Sequence, residues 1–84
     1  MDAKKFGSFL ATLRKERGLT QAELAGKLQI TDKAVSRWER GIGLPDISML
    51  EPLSAALQIT VLELVDCKSN FQFAQFTSSF LKDS

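Results

Sequence analysis

"LTQAELAGKLQITDKAVSRWERG", residues 19–41, contains two helix starts in close succession. In "LTQAEL" Thr20 stands at an N-cap with Glu23 three places on, the reciprocal pair of a capping box, and Leu19 and Leu24 can close a hydrophobic staple around it. In "ITDKAV" Thr31 caps and Ile30 and Val35 staple, with Ala34 where the reciprocal acid would stand. Each cap contributes about 1 kcal/mol and fixes where its helix begins. The stretch therefore predicts helices over residues 21–28 and 32–41, separated only by "QIT".

The same signals continue on both sides. Phe6, Phe9, Leu10 and Leu13 form an i, i+3, i+4, i+7 stripe, which predicts an amphipathic helix over residues 3–17, stopped by a left-handed cap at Gly18. "ITVLEL", residues 59–64, repeats the capping box with Thr60 and Glu63, stapled by Ile59 and Leu64. Between them, "GLPDISMLEPLSAAL" predicts a loop through Pro45 and a helix capped by Asp46, with Ile47, Leu50, Leu53 and Leu57 facing the core. Pro52 falls inside that stripe and cannot donate to the carbonyl four residues back, so a late start or a kink is expected there. Beyond residue 66, "SNFQFAQFTSSFL" opens with a Ser69/Gln72 box and sets Phe73, Phe76 and Phe80 on one face of an amphipathic helix. No strand alternation appears, and the fold class is all-α.

Eighty-four residues bound this to one domain with a single small core. No apolar run approaches the roughly 20 residues of a membrane span, and the charged N-terminus does not read as a signal peptide. One cysteine, Cys67, forms no internal disulfide, which fits a reducing cytoplasm. With no histidine, Ser-His and Cys-His nucleophile pairs and the commonest metal ligand are missing. The acids are scattered and no glycine loop would cradle a phosphate, so the expectation is a non-enzyme without metal, cofactor or evident small-molecule ligand. The charge is polarised: residues 1–42 carry nine Lys/Arg against five Asp/Glu, and residues 43–84 two against five. One half can face a polyanion while the other faces away.

The three-residue gap between the paired helices is the helix-turn-helix spacing, in which the second helix can enter a DNA major groove. Taken with "LRKERGLTQAELAGKL", "ITDKAVSRWERG", "LPDISMLEPLSAAL" and "ITVLELV", in that order, the chain resembles the phage-repressor and Cro-type helix-turn-helix family over roughly residues 6–65. The resemblance implies a lambda-repressor-like five-helix bundle and sequence-specific binding of double-stranded DNA. It further implies a transcriptional regulator, commonly a repressor, acting as a dimer on a palindromic operator. The family wants a small residue where Ala25 stands and a branched apolar one at Val35, and both match. It commonly has glycine in the turn, where this chain has Gln29. A left-handed backbone at a non-glycine residue is strained by about 1 kcal/mol, so the turn is either strained or rearranged.

At about 100° per residue, Thr31, Ala34, Val35 and Trp38 fall on one side of the second helix, with Ile42 just past its end. Lys33, Ser36, Arg37 and Arg40 cluster on the other, with Asp32 at the flank. The apolar side is the core side, anchored by Val35 and Trp38. By the resemblance, Asp32, Lys33 and Arg37 align with base-contacting positions and Ser36 joins them at the edge. Arg37 is the strongest candidate, since a guanidinium makes a bidentate contact to guanine O6 and N7. Gln21 and Thr31 resemble phosphate-positioning residues, with Arg40 and the loop amides around Gly41 and Gly43 beside them. Glu39 sits at the edge of the inward side, where a bare carboxylate is costly; Arg14 or Arg17 could pair with it, and the resemblance favours Arg14.

Residues 1–66 thus read as the helix-turn-helix domain and 67–84 as a phenylalanine-rich tail, which either docks on its own domain or forms a two-fold interface through Phe73, Phe76 and Phe80. A second reading keeps the fold and makes it a protein-interaction or antitoxin-like module, supported by the small net charge and that tail.

Overall fold

The computed structural model describes residues 2–67. Five helices lie within them, with no strand among the described residues: α1 (Ala3–Glu16), α2 (Gln21–Leu28), α3 (Asp32–Glu39), α4 (Ile47–Leu57) and α5 (Val61–Asp66). The expected tail helix with Phe73, Phe76 and Phe80 lies outside the described residues.

Local chemistry sets the helix starts. Thr20 and Thr60 each accept from the amide of the glutamate three places on, and that glutamate accepts from the threonine amide at 2.8 and 2.9 Å, so both capping boxes close. Thr31 caps α3 by accepting from Ala34 N, and Asp46 caps α4 through Ser48 N. At the N-terminus, Asp2 caps α1 through the amides of Lys4 and Lys5. Each cap satisfies amides that the first helical turn leaves without partners.

The core forms where the apolar stripes meet. Phe6, Leu10 and Leu13 of α1, Leu24 and Leu28 of α2, Val35 and Trp38 of α3, Leu53 and Leu57 of α4 and Leu64 of α5 are buried in one cluster. The staple partners Leu19, Ile30 and Ile59 pack against it from its edge. Arg17 ties α1 to the far end of the bundle, its Nε donating to the Leu57 carbonyl at 2.7 Å in the last turn of α4.

Two expectations need correction and a third, at Pro52, is narrowed. Ile47 is 82% exposed instead of facing the core, because it is the first residue of α4 and projects before the helix reaches the bundle. The helix does not start late: Pro52 is its sixth residue and lies on the exposed side. The second helix of the motif is shorter than 32–41. It ends at Glu39 with Arg40 as cap, because Gly41 turns to φ 74.

Candidate nucleic-acid interface

The turn between α2 and α3 is made by Gln29, at φ 58 and ψ 42 in the left-handed region. The chain therefore takes the strained alternative and keeps the turn. Two hydrogen bonds offset the cost: Gln29 N donates to Gly26 O at 3.2 Å and Ile30 N to Ala25 O at 3.0 Å, satisfying carbonyls at the end of α2. Ile30 then packs on the core and Thr31 starts α3.

From that start the inward and outward sides of α3 separate. Val35 and Trp38 are buried, whereas Asp32, Lys33, Arg37 and Arg40 are exposed and Ser36 is half-buried. Among the described residues none of Lys33, Arg37 and Arg40 has an ion-pair partner. The Arg40 side chain folds back, with Nε 3.4 Å from the Ser36 carbonyl. Ile42, placed by periodicity near the apolar side, is 62% exposed because the helix has already ended.

The mount beneath this face is polar as well as apolar. Arg14 Nε donates to Glu39 Oε2 at 2.6 Å and Nη2 to Oε1 at 3.1 Å, a two-point contact between α1 and the last turn of α3. Nη1 reaches the Leu19 carbonyl at 2.7 Å, so the same guanidinium also holds the lead-in to α2. The hydrogen bond to Glu39 raises the Arg14 pKa above its ordinary value, against the opposing effect of burial. Gln21 adds a third donor to the carboxylate, with Nε2 3.0 Å from Glu39 Oε1. One amide hydrogen of Gln21 is thus committed within the protein, which leaves the other for an external acceptor.

The loop glycines divide. Gly41 N donates to Trp38 O at 3.0 Å and Ile42 N to Arg37 O at 3.1 Å, so the Gly41 amide is spent inside the turn and is not free for a phosphate. Gly43 stays open: a Cβ built there would meet only Arg37 Cδ, at 3.9 Å. Thr31 is exposed at the N-terminus of α3, its hydroxyl oxygen accepting from Ala34 N at 3.3 Å.

Sequence reasoning missed one residue on which the mount depends. A Cβ on Gly7 would lie 2.2 Å from the Trp38 carbonyl oxygen, so α1 and α3 touch backbone to backbone there. The available signal was a glycine inside an otherwise regular helical stripe, a choice that costs about 1 kcal/mol against alanine. Among the described residues no cluster of three His, Cys, Asp or Glu could hold a metal ion. No described helix is long and apolar enough to cross a membrane.

Comparison with known proteins places this architecture. The family described as Helix-turn-helix matches residues 10–64, and the chain belongs to it, within the group of lambda-repressor-like regulators. The chain is 36% identical over 61 residues to the HTH-type transcriptional activator BcrR of Enterococcus faecalis; the match takes in 73% of this chain and 30% of that relative, so the chain spans under a third of its length. The restriction-modification controller protein C.AhdI from Aeromonas hydrophila superposes with a TM-score of 0.71 at 35% identity, over 75% of this chain and 91% of that one. The P22 c2 repressor, solved in complex with the synthetic operator 9T, gives a TM-score of 0.67 at 32% identity, over 70% and 89% of the two chains.

Proposed function

We propose that this chain is a transcriptional regulator that binds double-stranded DNA sequence-specifically, with α3 in the major groove. The observation that carries the reading is the outward face of α3. Lys33, Arg37 and Arg40 stand there without acidic partners among the described residues, on a helix held rigid from behind by Val35, Trp38 and the Arg14–Glu39 pair. Arg37 and Lys33 read base edges, Asp32 accepts from cytosine or excludes other bases, and Ser36 works at the margin. Thr31, Arg40, the second amide hydrogen of Gln21 and the Gly43 backbone position the duplex through phosphates. The P22 c2 repressor's complex with an operator supports duplex binding on this fold.

In this reading residues 1–66 recognise the duplex and residues 67–84 serve assembly. Two copies bind the half-sites of a palindromic operator, about one helical turn apart. The apolar side chains that α5 leaves exposed, Val61, Leu62 and Val65, supply part of the contact between copies, and Phe73, Phe76 and Phe80 supply the rest.

Selection of bound duplexes from a random library tests binding, sequence and half-site spacing together. An enriched motif with two-fold symmetry is the expected result. Absence of any shifted duplex at micromolar protein and low salt would overturn the proposal, and an asymmetric single half-site would remove the dimer from it.

A further inference from the structure

The first turn of α1 meets the turn that follows α3. A Cβ built on Gly41 would lie 2.9 Å from Lys4 Cγ and 3.0 Å from Lys4 Cα, so the Lys4 stem lies directly over the glycine. Gly41 accommodates it by having no side chain and by holding φ 74. Arg40 precedes this glycine in the chain, and Arg37 passes close to Gly43 two residues beyond. Lys4 is exposed and, among the described residues, has no acidic partner. The nearest carboxylate in sequence, Asp2, is committed to capping α1 through the amides of Lys4 and Lys5.

We propose that Lys4 is a phosphate-binding residue of the DNA interface, supplied by α1 to the edge of the face that α3 presents. The proposal rests on the DNA-binding reading above and extends the interface beyond the helix-turn-helix itself. At the turn itself the amides of Gly41 and Ile42 are already spent on Trp38 and Arg37 carbonyls, so a cation beside them adds a contact that these two amides do not supply. An ammonium on a flexible stem suits this position, because it is a point charge that follows a phosphate without reading a base. Packing the stem against Gly41 reduces the rotamer freedom lost on binding. The neighbouring lysine provides a control. Lys5 follows Lys4 by about 100° around α1, and the three atoms nearest a Cβ on Gly41 all belong to Lys4.

The test is the salt dependence of binding for the full chain, Lys4→Met, Lys4→Gln, Lys4→Arg and Lys5→Met, on a selected duplex and on a random-sequence duplex. Methionine keeps the stem over Gly41 and removes only the charge. Losing one phosphate contact lowers the slope of log affinity against log salt by about 0.9 and weakens binding several-fold, equally on both duplexes. Lys4→Met and Lys4→Gln are expected to do this with unchanged melting temperature, while Lys4→Arg and Lys5→Met keep the wild-type slope. An unchanged slope in both charge-free variants, an equal loss in Lys5→Met, or a loss confined to the selected duplex would overturn the assignment. Failure of the wild-type chain to bind either duplex would instead overturn the DNA-binding reading, and this assignment with it.

Discussion

The Arg14 guanidinium and the Glu39 carboxylate meet at two points, 2.6 and 3.1 Å, with their side chains 11% and 7% exposed. This pair fastens the end of α3 to α1, and it does so where neither partner can fall back on water. Replacing Glu39 by Ala leaves a buried guanidinium uncompensated, a change that costs about 3 kcal/mol. Urea denaturation should show that loss, while base preference of the folded fraction stays as in the wild type. Because the cost is that of an orphaned charge, Arg14→Met combined with Glu39→Leu should recover most of it. A double variant as unstable as the single one would contradict the account.

Arg37 carries the sharpest functional expectation. Its Ala variant should lose about 1–3 kcal/mol on the selected duplex and relax preference at one base pair. Equal losses on selected and random duplexes would show that it binds phosphate instead.

Two glycines in helices should respond in opposite directions. Gly7→Ala forces a Cβ to 2.2 Å from the Trp38 carbonyl, and only separation of α1 from α3 relieves it. The expected destabilisation is about 3 kcal/mol, at the upper end for overpacking. A Cβ on Gly26 meets nothing within 4 Å. Gly26→Ala should therefore stabilise by about 0.5–1 kcal/mol through helix propensity alone. Thermal melts of the two variants suffice.

Acid should weaken the caps. The Thr20 amide and hydroxyl hold the Glu23 carboxyl below its usual range, and the Ser48 hydroxyl and amide do the same for Asp46. A carboxylate whose folded pKa is depressed stabilises the fold above its unfolded pKa, and that contribution disappears as pH falls through the folded value. Melting temperature should thus fall as pH drops through and below the ordinary Glu and Asp values, about 4.3 and 3.9. Glu23→Gln should flatten part of that fall; an identical acid profile would remove Glu23 as a cause.

Relief of the turn gives a further handle. Gln29→Gly places at φ 58 the one residue that adopts it freely, and should raise stability by roughly 0.5–1 kcal/mol after the added freedom of the unfolded chain is counted. A fall in stability would mean that the Gln29 side chain contributes more than its backbone costs.

What could be read from sequence follows from the range of the forces involved. Thr20, Thr60 and their glutamates were legible because a capping box is complete within four residues. The division of α3 was legible because 100° per residue holds inside any helix, so Lys33 and Trp38 could be assigned to opposite sides. That regularity fails at helix ends, which is why Ile47, inward by its spacing, stands in solvent. Gly7 and Lys4 were opaque because their environments are set by the crossing of α1 over the end of α3, which no local pattern encodes. Gln21 was legible only by likeness; that it also holds Glu39 depends on the angle between α2 and α3.

Trp38 is the sole tryptophan of the chain, and its indole is buried on the side of α3 turned away from the exposed cations. An optical probe is therefore built into the helix that carries those cations, and it looks at the body of the protein instead of the ligand. Its emission should hold its wavelength when a duplex binds and move to the red when α3 leaves its seat. One fluorescence trace can then distinguish a variant that has lost its grip on a ligand from one that has lost the helix itself.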